Sequence, residues 1–304
     1  QFAPNSALYN MPMVCRLTGN WLLEGLELGW NQLIERHESL RTVFYEEDGH
    51  PIQQIQPYVF RPLLQMDLTK LSLEERERKL EQWIQTEVES PFDLEQGPLF
   101  RGKLIRISEE EWVLLCNMHH IISDGWSMEI LLQEWMAFYE NAIGEKQAEL
   151  EPLPVQYADF AQWQRDWLKD EVLYQQLAYW KEELSGELPV LMLPMDRPRP
   201  PVQTHHGLTH NVLLSRSLLD KLNELSRQEG ATLFMTLLAS YQSFLARYTG
   251  QTDIIVGSPI ANRNYREIEG LIGFFVNTLV YRADLSNAPA FQELLSQVRI
   301  KALK

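Results

Sequence analysis

His119-His120-Ile121-Ile122-Ser123-Asp124-Gly125 concentrates more chemistry than any other stretch of this 304-residue chain. It closes an apolar run that starts at Trp112, so the spacing predicts a histidine pair at the end of a buried strand with an Asp-Gly turn behind it. Consecutive strand residues face opposite ways, so His119 and His120 cannot both ligate one metal from that strand. No further His or Cys cluster completes a ligand set, and no metal is expected. Ser123 beside Asp124 suggests a hydrolytic nucleophile, yet the Gly-x-Ser-x-Gly turn that exposes such a hydroxyl is missing. Cys116 stands among Leu114, Leu115 and Met118, where a thiol stays protonated and packs as a small core residue.

What remains is a histidine at a strand end with an acid nearby. Two adjacent histidines and an Asp-Gly turn on one buried strand point to a site rather than to a core histidine satisfied by a carbonyl, because burying so much polarity is costly. A histidine so placed can accept a proton or hydrogen-bond a reacting group; the residues alone do not separate these. Asp124 can orient His120, as a triad acid does, or pair with an arginine and hold the turn, with Arg36, Arg41 and Arg263 as candidates. The N–H of Gly125 is a backbone donor in the same turn, where glycine permits close approach.

The elements that must position these groups alternate in type. Residues 14–17 read as a strand before the turn Thr18-Gly19-Asn20, and Leu22, Leu26, Trp30, Leu33 and Ile34 then recur at helical spacing. Residues 42–45 and 52–55 flank an Asp48-Gly49 hairpin turn. Residues 72–88 form a helix with a charged outer face, 100–107 and 112–120 two strands, and 126–142 an amphipathic helix. The strand at 112–120 is apolar on both faces and belongs deep in a sheet. A helix is expected over 157–184, and then five prolines between 189 and 201 break the pattern. Beyond them residues 208–214 read as a strand, 217–228 and 232–248 as helices, and 253–258 and 275–281 as strands. This divides the chain into an N-terminal lobe at 1–185, a proline-rich crossing at 186–201 and a C-terminal lobe at 202–304.

Composition excludes several function classes. Acidic side chains number 42 against 27 basic ones, a formal charge of −15, which disfavours nucleic acid and anionic membrane surfaces alike. No uncharged apolar run approaches the roughly 18 residues of a membrane span. The N-terminus does not read as a signal peptide, and two cysteines without metal or disulfide spacing suit a reducing, cytoplasmic compartment.

His119-His120-x-x-x-Asp124-Gly125 resembles the signature of the condensation domains of nonribosomal peptide synthetases, which they share with chloramphenicol acetyltransferase and related acyltransferases. Arg36-His37-Glu38-Ser39-Leu40-Arg41-Thr42-Val43-Phe44 resembles that family's second motif. Tyr157-Ala158-Asp159-Phe160-Ala161-Gln162-Trp163-Gln164 is similar to its fourth, and Ile272-Gly273-Phe274-Phe275-Val276-Asn277-Thr278 to its fifth. The crossing Leu193-Pro194-Met195-Asp196-Arg197-Pro198-Arg199-Pro200 also resembles the family, so the likeness runs over nearly the whole chain. The family's first and last two motifs have no counterpart, and the chain reads as an internal fragment.

The resemblance implies an α/β (α+β) fold of two chloramphenicol-acetyltransferase-like lobes forming a V with a tunnel between them, the second lobe incomplete. It implies that the amine of an acceptor aminoacyl thioester attacks a donor thioester. Both substrates ride on phosphopantetheine arms of donor and acceptor peptidyl carrier proteins, with an adenylation domain adjacent and no cofactor held by the domain itself. His120 and Gly125 are then the catalytic groups. Asp124 is a structural ion-pair partner of Arg36, Arg41 or Arg263, and His119 packs on the other strand face. Ser123, Trp126 and Asn277 line the tunnel, while Tyr157 and Trp163 pack the lobes together. Asp124-Gly125-Trp126-Ser127 is similar to peptide-bond-forming members, and the histidine pair sets the chain apart from heterocyclizing ones; an L-donor and an L-acceptor fit best. The competing readings are a catalytically silent module that recruits a partner and a free-standing acyltransferase using coenzyme A thioesters.

Overall fold

From Trp112 to Met118 only Asn117 is polar, and the strand they belong to is covered on both faces. The computed structural model describes residues 6–145, 150–202 and 207–304. The chain divides into two compact units, one made of Gln1–Trp167 with Ala261–Val276, the other of Leu168–Ile260 with Asn277–Lys304.

The first unit contains β1 (Asn10–Thr18), α1 (Leu23–Arg36), β2 (Thr42–Glu47), β3 (His50–Ile55), β4 (Leu64–Asp67), α2 (Leu73–Glu89), β5 (Phe100–Ser108), β6 (Glu111–His119), α3 (Gly125–Ala142) and α4 (Tyr157–Trp167). Its main sheet has the order β1-β6-β5-β4, antiparallel except for the β4–β5 pair. The period of two sorts β6 between two cores. Trp112, Leu114, Cys116 and Met118 meet Trp30 and Leu33 of α1 and Leu131 and Trp135 of α3, whereas Val113 meets Leu80 and Trp83 of α2. A strand buried on both sides must be apolar at nearly every position, as its sequence suggests. Asn117, on the α2 side, donates from Nδ2 to the Glu87 carbonyl at 2.8 Å.

α2 begins with a capping box, Ser72 receiving the N–H of Glu75 while the Glu75 carboxylate receives the N–H of Ser72. The β2–β3 hairpin turns through Asp48 at φ 51° and Gly49 at φ 77°, the positive pair that its Asp-Gly sequence favours.

In the second unit, α5 (Asp170–Glu183), α6 (Arg216–Gln228) and α7 (Leu233–Thr249) precede β7 (Asp253–Ile260). The chain then returns to the first unit through α8 (Arg266–Glu269), and β8 (Asn277–Asp284) and α9 (Phe291–Leu303) complete the second. β7 and β8 pair antiparallel, and Met235, Leu238 and Ala239 of α7 pack with Leu294, Leu295 and Val298 of α9 over Tyr281 and Ala283. Arg282 grips Asp253 with two nitrogens, at 2.7 and 3.0 Å, and donates to the Ser185 carbonyl. No described helix is long and apolar enough to cross a membrane.

Three expectations are corrected. The helix over 157–184 is two helices, broken before Asp170, whose φ of 46° interrupts the α-helical path. Residues 208–214 form no strand; they are solvent-exposed and without strand pairing among the described residues. The strand read at 275–281 starts at Asn277, because Phe275 and Val276 still belong to the first unit. β4, α8 and α9 went unread: β4 and α8 are four residues each, too short for a periodic signal.

Gly102 lies on the β5 face toward α1, where an added Cβ would come within 2.4 Å of the Trp30 ring. That ring is stacked on Phe100 at 4.0 Å and abuts Trp135 edge-on, so it has little room to retreat. Gly102→Ala is expected to lower stability by about 1–3 kcal/mol, read as a lower urea midpoint with an unchanged slope.

Candidate active site

β6 delivers His119 as its last strand residue, and a 3-10 turn over His120–Ile122 carries the chain to Asp124, the N-cap of α3. The turn is held from outside: the N–H of His119 donates to the Leu99 carbonyl at 3.0 Å, and that of His120 to the Tyr9 carbonyl at 2.8 Å.

The ring of His120 is oriented by a carbonyl. Its Nδ1 lies 2.8 Å from the oxygen of Ser123, which can only accept, so Nδ1 carries the proton and Nε2 of the neutral ring keeps its lone pair. The ring of Phe274 meets the His120 ring edge-on at 5.1 Å. His119 takes the opposite tautomer: its Nδ1 accepts from the N–H of Ile121 at 3.0 Å. Tyr9 and Phe92 flank that ring, and burial, with the neighbouring His120 second, lowers its pKa from 6.5 to about 4. Ser123 is fully buried, its hydroxyl donating to the His119 carbonyl at 3.2 Å. What it presents to His120 is its carbonyl, and its hydroxyl is spent inside the turn.

Asp124 is 2% exposed and has both oxygens committed. Oδ1 accepts the N–H of Ser127 at 2.9 Å, its hydroxyl at 2.7 Å, and Nη2 of Arg263 at 3.1 Å. Oδ2 accepts the N–H of Phe275 at 3.0 Å. One carboxylate thus caps α3, meets a guanidinium and binds a distant backbone. Arg263 gives its Nη1 to the carbonyls of Ile268 and Leu271, both at 2.7 Å, and lies 4.1 Å over the Phe275 ring. Burial pulls this guanidinium below its ordinary pKa, and Asp124 opposes the shift.

Of the three arginines considered for Asp124, only Arg263 reaches it. Arg36, at the end of α1, bonds through Nε to both oxygens of Glu134, because α1 packs along α3 and Glu134 is what α3 offers there. Arg41 turns the other way, to the Gln56 carbonyl at 2.6 Å and to Glu38. Trp126 donates from Nε1 to the Glu269 carbonyl at 3.0 Å while staying partly exposed. Asn277 opens β8 in the other unit, where its Oδ1 accepts the N–H of Thr278. Gly125 begins α3, exposed, with open space where a Cβ would stand. Its N–H belongs to the first turn, which has no earlier carbonyls to bond.

Within the first unit, segment 272–275 is stitched to the rest by a series of side chains. Ser39 donates to the Ile272 carbonyl at 2.7 Å, and Nδ1 of buried His37 accepts the Ile272 N–H at 3.4 Å. The Ser127 hydroxyl meets both the N–H and the carbonyl of Gly273, and the Tyr157 hydroxyl donates to the Phe274 carbonyl at 2.9 Å. Burial raises the Tyr157 pKa, keeping that hydroxyl protonated. With Nδ1 accepting, Nε2 of His37 donates to Glu134 at 2.6 Å. Gly273 is obligatory here, since a Cβ would fall 2.3 Å from the Tyr157 ring. Residue types alone gave little signal for this latch, because His37 and Ser39 stand among Arg36, Glu38 and Arg41, which read as polar surface.

A hydrogen-bond acceptor on His120 beside an exposed first-turn N–H, both on a braced scaffold, suits proton-assisted acyl transfer. The sequence profile of the family described as "Condensation domain" matches residues 1–304, and the chain belongs to that family. It is 52% and 53% identical, each over 301 residues and 99% of its length, to two linear gramicidin synthase proteins of Brevibacillus parabrevis. The matched parts make up 4% and 6% of those much longer proteins. Among solved structures, SgcC5 of Streptomyces globisporus is 30% identical with a TM-score of 0.78, covering 97% of this chain and 66% of that one. The X-domain from teicoplanin biosynthesis, 26% identical, superposes with a TM-score of 0.84 over 97% of this chain and 65% of its own. These likenesses make the fold that of the condensation domains.

Removing either member of the Asp124–Arg263 pair strands a buried charge. Asp124→Ala and Arg263→Ala are each expected to cost about 3–5 kcal/mol, with the double variant well short of their sum in urea unfolding. His119 adds a pH dependence of its own. Between its folded pKa of about 4 and its unfolded value the unfolded chain binds the extra proton, so this contribution is complete at neutral pH and fades on acidification. Across that window wild type is expected to lose stability more steeply than His119→Gln, followed by unfolding midpoints at each pH.

Proposed function

We propose that this domain forms a peptide bond between two carrier-bound substrates. The amine of an acceptor aminoacyl thioester attacks the thioester carbonyl of a donor aminoacyl or peptidyl group, the C–S bond breaks, and the donor carrier's thiol leaves. The observation that carries this reading is the tautomer of His120, whose Nε2 lone pair is available because Nδ1 is spent on Ser123.

A thioester is already activated, so the reaction asks only for placement, a proton acceptor and help for the oxyanion. As attack proceeds the nitrogen becomes far more acidic than a free amine of pKa ~8, and an imidazole can receive its proton. A general base of this kind contributes typically ~10²–10⁴-fold. His120 acts as that base or as the group that orients the amine, and Gly125 N–H donates to the developing oxyanion. Asp124, Arg263 and His119 hold the turn. Trp126 lies along the substrate path. Phosphopantetheine arms of donor and acceptor peptidyl carrier proteins present the substrates, an adenylation domain loads them, and the domain itself holds no cofactor. The name of the gramicidin synthase relatives supports a synthetase setting. Trp126-Ser127 after the Asp-Gly pair, with both histidines present, supports an L-configured donor and acceptor.

The test uses the complete parent domain with carriers loaded with different amino acids, and intact mass spectrometry of the acceptor carrier. Dipeptidyl product from wild type, falling at least a hundredfold in a His120→Ala protein that melts normally, is expected. Equal product from both would leave His120 a bystander, and none from either, with carriers still bound, would favour a recruiting module.

A further inference from the structure

One cavity of the first unit borders the His120 turn and has no part in the chemistry described above. It encloses about 430 Å³. Phe44, Pro51, Ile52 and Gln53 of the β2–β3 hairpin form one wall, and Tyr157, Ala158, Ala161, Gln162 and Arg165 of α4 form the other. Ile121 and Phe274 also line it, and both lie next to the histidine: Ile121 follows His120 in the chain, and the Phe274 ring meets the imidazole edge-on at 5.1 Å.

We propose that this cavity receives the side chain of the acceptor aminoacyl group, and that Ala158 and Ala161 set the size it accepts. The proposal rests on the peptide-bond reading. In that reaction the acceptor's amine lies against His120, and its side chain branches from the carbon bonded to that amine. A side-chain pocket for the acceptor therefore has to begin within a few bonds of the imidazole, as this one does at Phe274. The size is that of a small-ligand site, and the composition matches, an apolar lining with a few polar groups. Gln53, Gln162 and Arg165 supply those groups, and the last two are exposed. Aliphatic and aromatic side chains fit such walls, including one with a polar tip to meet Arg165.

The two alanines decide how much room there is. They stand three residues apart on α4, hence on one face of the helix, and each offers only a methyl group to the cavity. The other end is fixed, because the Tyr157 hydroxyl holds the Phe274 carbonyl and Gly273 leaves no space for a shift. Longer side chains at 158 or 161 would fill the cavity without touching His120.

The experiment uses the synthetase module that contains this domain, with one donor throughout and acceptor carriers loaded with glycine, leucine or phenylalanine. Ala158→Leu and Ala161→Leu are compared with wild type by initial rates of dipeptide formation, after melting curves show that each is folded. The expected result is a loss for phenylalanine at least tenfold larger than the loss for glycine in both variants, with leucine between them. Dipeptide formation with unchanged ratios among the three acceptors would overturn the pocket and leave the condensation reading standing. So would a preference that follows the donor's side chain when the donor is varied instead. A wild-type module that makes no dipeptide with any acceptor would remove the condensation reading, and the pocket with it.

Discussion

A carboxylate that is 2% exposed has to be paired, and the pairing of Asp124 organises everything around it. Its four partners come from two places in the chain, the first turn of α3 and residues 263 and 275. The guanidinium that neutralises it also gathers the carbonyls of Ile268 and Leu271, so one ion pair folds the 261–276 excursion back upon itself. Leaving either charge alone in that interior would cost about 3–5 kcal/mol. The geometry of the His120 turn is therefore held by groups other than the imidazole itself.

The same arrangement divides labour between the two kinds of acceptor. A carboxylate bonded to His120 would stabilise an imidazolium and favour a strongly basic ring. Here both oxygens of Asp124 are engaged elsewhere, and a neutral carbonyl orients the ring. A carbonyl fixes the tautomer while adding no full charge, and that suits a step in which an imidazole accepts a proton from an amine that attack has made acidic. His119 and His37 show the reverse tautomer, each with Nδ1 facing a backbone N–H. Three histidines in one unit thus take their protonation sites from the backbone group that each one meets.

Segment 272–275 is irregular, yet side chains of His37, Ser39, Ser127, Tyr157 and Asp124 satisfy its backbone one group after another. Buried irregular chain is tolerable only on such terms. The outcome is a stiff wall carrying Phe274 against His120, built from parts of the chain far apart in sequence. In the peptide-bond reading proposed above, aminolysis of a thioester needs placement more than activation, and a wall of this kind would supply it.

Much of the first unit was legible because its signals are local. The twofold apolarity of β6, the Asp-Gly turn of the hairpin, the helical stripes of α1 and α3, and the histidines at a strand end all follow from backbone periodicity and side-chain solubility within a short window. The residue types at 119–125 were enough to single this turn out as a candidate site. The choice of Arg263 over Arg36 and Arg41 was beyond any window, since all three are arginines and only the folded path brings position 263 to position 124, 139 residues earlier. The break before Asp170 and the unpaired run at 208–214 escaped for the same reason: a positive φ and the absence of a neighbouring strand are properties of the surroundings, not of the pattern. Local chemistry determined what the residues can do; the tertiary structure alone decided which of them meet, because burial and charge pairing are settled by contacts the chain makes only once it is folded.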